Sequence, residues 1–171
     1  MKIQNIKIIH GQSFKDDRGE FYCSLVASKS LLPANLTFKE WDFSYNFQNV
    51  LRGLHCDFET WKLVECVYGE VFWVAADARR NSTTFKNIIS VELTGGNHKQ
   101  ILVPPGVLTG FYVRSQEAIF YYRQTNEYSG SESQISVIWN DPQLAIKWPC
   151  SNPKLSERDC NAGLFEAALS E

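Results

Sequence analysis

Between residues 19 and 139 the chain is a succession of short apolar runs, most of them separated by glycine, proline, asparagine or aspartate. Apolar runs of roughly four to eight residues between such breaks are the pattern of β-strands joined by turns. The runs predict strands over 3–9, 19–26, 38–46, 50–55, 61–68, 70–77, 87–93, 99–103, 109–113, 118–124 and 135–139. Gly95-Gly96 and Pro104-Pro105-Gly106 supply turn punctuation. Helical signal is confined to two short stretches, 28–32 and 161–168. Antiparallel strands must bury one face against a second sheet or close on themselves. The expected fold is therefore all-β, a sandwich, jelly roll or closed barrel in a single domain over residues 1–171, with short peripheral helices.

Charge narrows the partners. A net charge of -2 gives no general attraction for nucleic acid or an anionic membrane surface, so an anionic ligand must be caught by a few placed cations. No apolar run approaches the ~20 residues that span a bilayer, and Met1-Lys2-Ile3-Gln4 does not open a signal peptide. The expected setting is soluble and cytoplasmic. The 5 cysteines are Cys23, Cys56, Cys66, Cys150 and Cys160, with no Cys-x-x-Cys pair, which argues for reduced thiols over a disulfide framework or a zinc knuckle.

The chain has 3 histidines, His10, His55 and His98. His10 and His98 read as surface or turn residues. His55 closes Val50-Leu51-Arg52-Gly53-Leu54-His55, where a cation and a glycine precede a titratable ring. A transition-metal centre on a β-barrel wants two or three imidazoles and a carboxylate converging at about 2.0–2.2 Å from the ion. Histidines this far apart disfavour such a centre, so no metal is expected.

Several segments then occur in one order: Arg18-Gly19-Glu20-Phe21, Leu51-Arg52-Gly53-Leu54-His55, Lys62-Leu63-Val64, Gly69-Glu70-Val71-Phe72, and the stretch from Asp77-Ala78-Arg79 to Thr84-Phe85. Val103-Pro104-Pro105-Gly106, Trp139-Asn140-Asp141-Pro142, Ile146-Lys147-Trp148-Pro149 and Leu155-Ser156-Glu157-Arg158-Asp159 follow. Together they resemble the dTDP-4-dehydrorhamnose 3,5-epimerase family, with its cupin-like jelly roll, from about residue 10 to 165. The segment 55–62 is shorter than in the rhamnose-pathway enzymes. It is more similar to the C3 and C3/C5 epimerases of nucleotide-linked 4-keto heptoses.

The resemblance implies cofactor-free proton exchange beside a ketone, on a dTDP- or GDP-linked 4-keto sugar, in supply of a deoxysugar or heptose for a surface polysaccharide. Such chemistry needs a base, a donor for the enolate oxygen, and an acid on the opposite face. By position, His55 matches the family's base and Asp159 the carboxylate that orients it. Lys62 matches the cation near the enolate, Tyr122 the acid, and Tyr128 a second pocket tyrosine. Arg18 and Arg52 match the diphosphate grip, Arg18 being supplied by the neighbouring subunit, which implies a homodimer. Glu20, Phe21, Asp57 and Thr109 match other substrate-facing positions.

The residues themselves leave alternatives open. Asp159 also reads as a helix N-cap and Lys62 as an exposed strand charge. Alternation puts Phe120 and Tyr122 on one face and Tyr121 on the other, without saying which face is interior. Strict alternation separates Arg52 from His55 unless Gly53 carries a bulge. Phe21, Trp41 and Phe43 read as core or pocket residues. The chain also departs from the rhamnose-pathway pattern. It has Thr109-Gly110-Phe111 where His-Gly-Phe is usual, Asp57 where a glutamine is usual, and Glu127-Tyr128 where a tyrosine pair is usual. These departures leave the sugar, and inversion at C3 alone, open. The competing reading is a sugar-nucleotide-binding barrel without activity.

Overall fold

The computed structural model describes residues 2–24, 32–33 and 36–170. It contains β1 (Lys7–His10), β2 (Gln12–Asp16), β3 (Gly19–Cys23), β4 (Glu40–Phe47), β5 (Leu51–Cys56) and β6 (Lys62–Tyr68). These are followed by β7 (Glu70–Asp77), β8 (Ile88–Thr94), β9 (Lys99–Val103), β10 (Val107–Val113), β11 (Glu117–Gln124) and β12 (Ile135–Ser136). Two one-turn helices close the chain, α1 (Glu157–Cys160) and α2 (Phe165–Ala168). One five-stranded sheet runs β1-β9-β6-β11-β4, a second runs β12-β5-β10-β7-β8, and β2-β3 form a separate hairpin. All strand pairs are antiparallel. This is the expected jelly-roll architecture.

The two sheets face each other across the main core. Val64, Ile101, Val103 and Phe120 come from the first sheet, and Val71, Trp73, Leu93 and Phe111 from the second. Fully burying side chains of this size contributes about 1.5–3 kcal/mol each. The second sheet is covered on its other face too. Leu54, Ala76 and Leu108 pack there against Val137, Leu144 and Phe165 of the C-terminal segment. Cover on both faces explains why β7 reads Val-Phe-Trp-Val-Ala-Ala with no polar alternation.

Several boundaries differ from the sequence expectation. The first strand begins at Lys7 because Asn5, at φ 70°, turns the backbone through the left-handed region. β2 was not expected: all five of its residues are exposed and it pairs only with β3, so no apolar periodicity marks it. β12 is shorter than 135–139: Val137 still exchanges backbone hydrogen bonds with Leu54 of β5 while bridging Gly163, and the chain turns away beyond it. The tail helix expected over 161–168 is confined to α2, and α1 precedes that stretch. The expected turn at 28–32, save Leu32, and the last residues of the strand expected over 19–26, at 25–26, lie outside the described residues.

The Gly53 bulge is present. Thr109 pairs with His55 and Phe111 with Arg52, so two steps along β10 match three along β5. Gly53 has φ 122°, and a Cβ there would sit 2.6 Å from Gly110 Cα and 2.7 Å from the Thr109 carbonyl oxygen. Only glycine tolerates both the dihedral and the approach. Gly53→Ala is expected to cost about 2–4 kcal/mol, read as a lowered urea midpoint, because backbone strain and overpacking add. A midpoint equal to that of the unsubstituted chain contradicts this account of the bulge.

Candidate active site

A cavity of about 470 Å³ opens between the sheets at one end of the barrel. Its floor is a stacked pair, Phe111 from β10 and Phe120 from β11, with centroids 4.3 Å apart. One wall is the second sheet, which contributes Arg52, His55 and Thr109. The opposite wall is the first sheet, which contributes Asp42, Lys62, Tyr122 and Gln124. The bulge at Gly53 brings Arg52 and His55, three residues apart, into the same cavity.

His55 is fixed from behind. Its Nε2 lies 2.6 Å from Asp159 Oδ1, and Asp159 is 2% exposed. Asp159 is not the N-cap of α1. That role falls to Ser156, whose hydroxyl accepts from the Asp159 amide at 3.1 Å, leaving the carboxylate free to face the imidazole. Burial lifts the Asp159 pKa, but hydrogen bonds from His55, Ser156 and the Gly53 amide outweigh it and hold the carboxyl below the usual range. An ionised carboxylate bonded to Nε2 favours the proton there and leaves Nδ1 as the nitrogen open for proton transfer.

Tyr122 is half-buried and faces the cavity, while Tyr121 points out of the barrel and stacks on Phe43. Interior parity therefore belongs to Tyr122. Its hydroxyl lies 3.5 Å from Ser44 Oγ. Burial pushes the phenol above its ordinary value, against the smaller lowering effects of Ser44 and Arg52, so it is a protonated donor near neutrality. Lys62 is not an exposed strand charge; its side chain is 12% exposed and its Nζ lies 3.6 Å from Asp57 Oδ2. Burial pulls the ammonium down and Asp57 opposes that pull. Asp57 is lifted by burial but held low overall by Lys62 and by amides of Glu59 and Thr60, which donate to Oδ1 at 3.0 and 2.6 Å.

The other expected residues divide into two sets. Thr109 and Tyr128 line the cavity, and the Tyr128 amide is tied to the Glu40 carboxylate. Arg52 lines it too, with its Nε donating to Asn46 Oδ1 at 2.7 Å. Asp57 reaches the site only through Lys62. Arg18, Glu20 and Phe21 lie on the β2-β3 hairpin, outside the cavity of this chain. Arg18 is paired with Asp16 at 2.6 Å, Glu20 with His98 at 2.8 Å, and the Phe21 ring is 70% exposed. Trp41 and Phe43 are neither core nor pocket; they project outward from β4 at 56% and 66% exposure.

Arg158 was missed. It lines the cavity beside Asp159, with Nε donating to Ser136 Oγ at 2.8 Å and Nη2 to Gln134 Oε1 at 3.3 Å. The sequence signal for it is its place in Leu155-Ser156-Glu157-Arg158-Asp159, next to the candidate carboxylate. Among the described residues, no group of three or more His, Cys, Asp or Glu converges in a way that could hold a metal ion. The arrangement puts a carboxylate-backed imidazole on one wall, and a protonated phenol and a buried cation on the other. That is the equipment for moving a proton off and onto a carbon next to a carbonyl.

Comparison with known proteins agrees. The family model described as dTDP-4-dehydrorhamnose 3,5-epimerase matches residues 1–167. The Salmonella typhimurium dTDP-4-dehydrorhamnose 3,5-epimerase is 39% identical, over 98% of this chain and 94% of that protein. Its Pseudomonas aeruginosa counterpart is 35% identical, over 98% and 95%. Among solved structures, the dTDP-6-deoxy-D-glucose-3,5-epimerase of Legionella pneumophila, in complex with dTDP-4-keto-L-rhamnose, superposes with a TM-score of 0.90. It is 40% identical, and the match covers 99% of this chain and 94% of that one.

Proposed function

The chain belongs to the dTDP-4-dehydrorhamnose 3,5-epimerase family, and on that footing we propose that it inverts C3, C5 or both of a dTDP-linked 4-keto sugar, with His55 as base and Tyr122 as acid. It is an isomerase, a nucleotide-sugar epimerase of the kind that supplies surface polysaccharides. The observation that carries the residue assignment is the placement of His55 and Tyr122 on facing sheets across one cavity. His55 Nδ1 removes the proton α to the ketone, and Asp159 stabilises the imidazolium that results. Charge passes to the C4 oxygen, where the Lys62 ammonium meets it. Tyr122 returns a proton to the same carbon from the other side, and solvent restores both groups. The dTDP carrier is preferred over GDP because the named relatives are dTDP-sugar enzymes.

Incubating the protein with dTDP-4-keto-6-deoxyglucose in heavy water tests this reading. The expected result is a mass gain of one deuterium per exchanging centre, with the epimer formed. No mass gain contradicts it and favours the inactive binding barrel.

A homodimer is part of the proposal. On β4 the usual polarity is inverted: Asp42, Ser44 and Asn46 face the barrel interior, while Trp41, Phe43, Tyr45 and Phe47 face out, each more than half exposed. A row of outward aromatics on an edge strand marks an interaction surface. Phe14 and Phe21 on the hairpin are exposed as well, and a second copy of this chain covers the whole set in our reading. It also explains the position of Arg18, which in a dimer reaches the diphosphate in the neighbouring cavity alongside that copy's Arg52. Sedimentation should give about twice the chain mass of 19.6 kDa. Phe43→Asp should shift the protein to monomer and raise KM for the nucleotide sugar. A monomeric starting protein contradicts the dimer. Among the described residues no helix is long and apolar enough to cross a membrane. The five cysteines are free thiols, which supports a reducing, cytoplasmic setting for this single-domain enzyme.

A further inference from the structure

We propose that His98 and Glu20 form a latch that holds the β2-β3 hairpin in place and so positions Arg18 for the diphosphate in the neighbouring cavity. The inference rests on the dimer reading above, in which Arg18 serves the second copy of the chain.

The hairpin has little apolar surface to hold it. It joins neither five-stranded sheet. All five residues of β2 are exposed, and so are the first three of β3. Arg18 stands in the turn, between the end of β2 at Asp16 and the start of β3 at Gly19. A loop that must be ordered as the ligand binds costs affinity, so an anchored hairpin presents its guanidinium at lower cost than a loose one.

The anchor is His98, the residue before β9. Alternation along β3 puts Glu20 and Tyr22 on one side and Phe21 on the other. On the first side His98 Nε2 lies 2.8 Å from Glu20 Oε1, and the Tyr22 ring stacks on the imidazole with centroids 4.1 Å apart. The bond from His98 is the largest of the effects that hold the Glu20 carboxyl below its usual range, so the ionised Glu20 accepts and Nε2 donates. The contact is rooted in the barrel. The Tyr22 hydroxyl donates to Glu65 Oε2 at 3.1 Å, and Arg123 Nη2 donates to the other oxygen of that carboxylate at 3.0 Å. Glu65 on β6 and Arg123 on β11 are both buried. The Gly11 amide, just before β2, donates to the His98 carbonyl at 3.1 Å. A Cβ at Gly11 would come 2.0 Å from Tyr22 Cε2, so a glycine there makes room for the stack.

Neither His98 nor Glu20 lines the catalytic cavity. Both are positioning residues, acting through Arg18, two residues from Glu20. Their loss should therefore fall on substrate binding and spare the chemical step.

A mutant cycle with dTDP-4-keto-6-deoxyglucose tests the latch, each variant being checked for its dimer by sedimentation. His98 has φ 50°, a left-handed conformation that asparagine tolerates, so His98→Asn removes the ring and keeps the backbone. Glu20→Ala removes the acceptor. Each should raise KM about three- to tenfold, the equivalent of one hydrogen bond, with kcat within about twofold. The double variant should lose no more than either single one, because both break the same contact. Arg18→Ala should raise KM about tenfold or more, as the loss of a charge-assisted contact. In that background His98→Asn should change KM by less than about twofold, since the latch has nothing left to position. An unchanged KM in His98→Asn, a full effect of His98→Asn on top of Arg18→Ala, an equal fall in kcat, or a monomeric variant overturns the latch and leaves Arg18 on the diphosphate. An unchanged KM in Arg18→Ala overturns the reading of Arg18, and this inference with it.

Discussion

His55→Ala is expected to abolish deuterium incorporation at every carbon of the substrate, a loss of about 10²–10⁴-fold set by removal of a general base. The expectation follows from geometry before chemistry. His55 is the only histidine lining the cavity, and it is anchored at 2.6 Å to a carboxylate with almost no solvent contact. Removing the ring also strips Asp159 of its main partner in a buried setting, so some stability is lost with it. His55→Asn separates the two effects. Its amide can still donate toward Asp159 while offering no basic nitrogen. Both variants should fail to exchange, and the asparagine variant should melt closer to the unsubstituted protein. Full exchange in either variant removes His55 from the base role.

Tyr122→Phe should uncouple two events that the intact enzyme links. In the proposed mechanism proton removal rests on His55 and Lys62, so exchange should persist, with the proton returned from the side it left. Inversion needs a donor on the other wall, and losing the phenol should suppress it by about 10²-fold or more. The burial that raises the Tyr122 pKa keeps that donor protonated through neutral pH, so the effect should not depend on pH between about 6 and 8. Normal inversion would pass the role to Tyr128, which lines the same cavity, because Tyr121 points out of the barrel.

The elements that were legible in the sequence are those whose burial is strong and one-sided or complete. β7 and β10 carry near-continuous apolar runs because both faces are covered, and their extents were read closely. β2 carries no such mark, because its five residues are all exposed. β4 was located but its faces were misread. Trp41 and Phe43 look like core residues in any pattern that assigns aromatics inward, yet the cavity requires Asp42, Ser44 and Asn46 on the inner face. Function inverted the pattern, and only the fold reveals it.

The site shows the same division. The His55–Asp159 pair spans 104 positions of sequence and was reached through resemblance, since no spacing rule joins residues so far apart. Parity along β11 restricts the candidate acid to Tyr122 or Tyr121, and of the two it is Tyr122 that lines the cavity. Arg52 and His55 share a face only if Gly53 carries a bulge, and the register shift supplies it. Arg158 needed coordinates. Adjacent residues in a one-turn helix face different ways, so the sequence gives no reason for Arg158 and Asp159 to border one cavity.

The account depends on base and acid meeting the substrate from facing sheets, and a crystal structure with a bound dTDP-sugar measures that directly. The predicted result places the open nitrogen of His55 and the Tyr122 hydroxyl on opposite faces of the sugar ring, each about 3–3.5 Å from one carbon beside C4. Finding both groups on the same face, or His55 detached from Asp159 and turned away from the sugar, would contradict it.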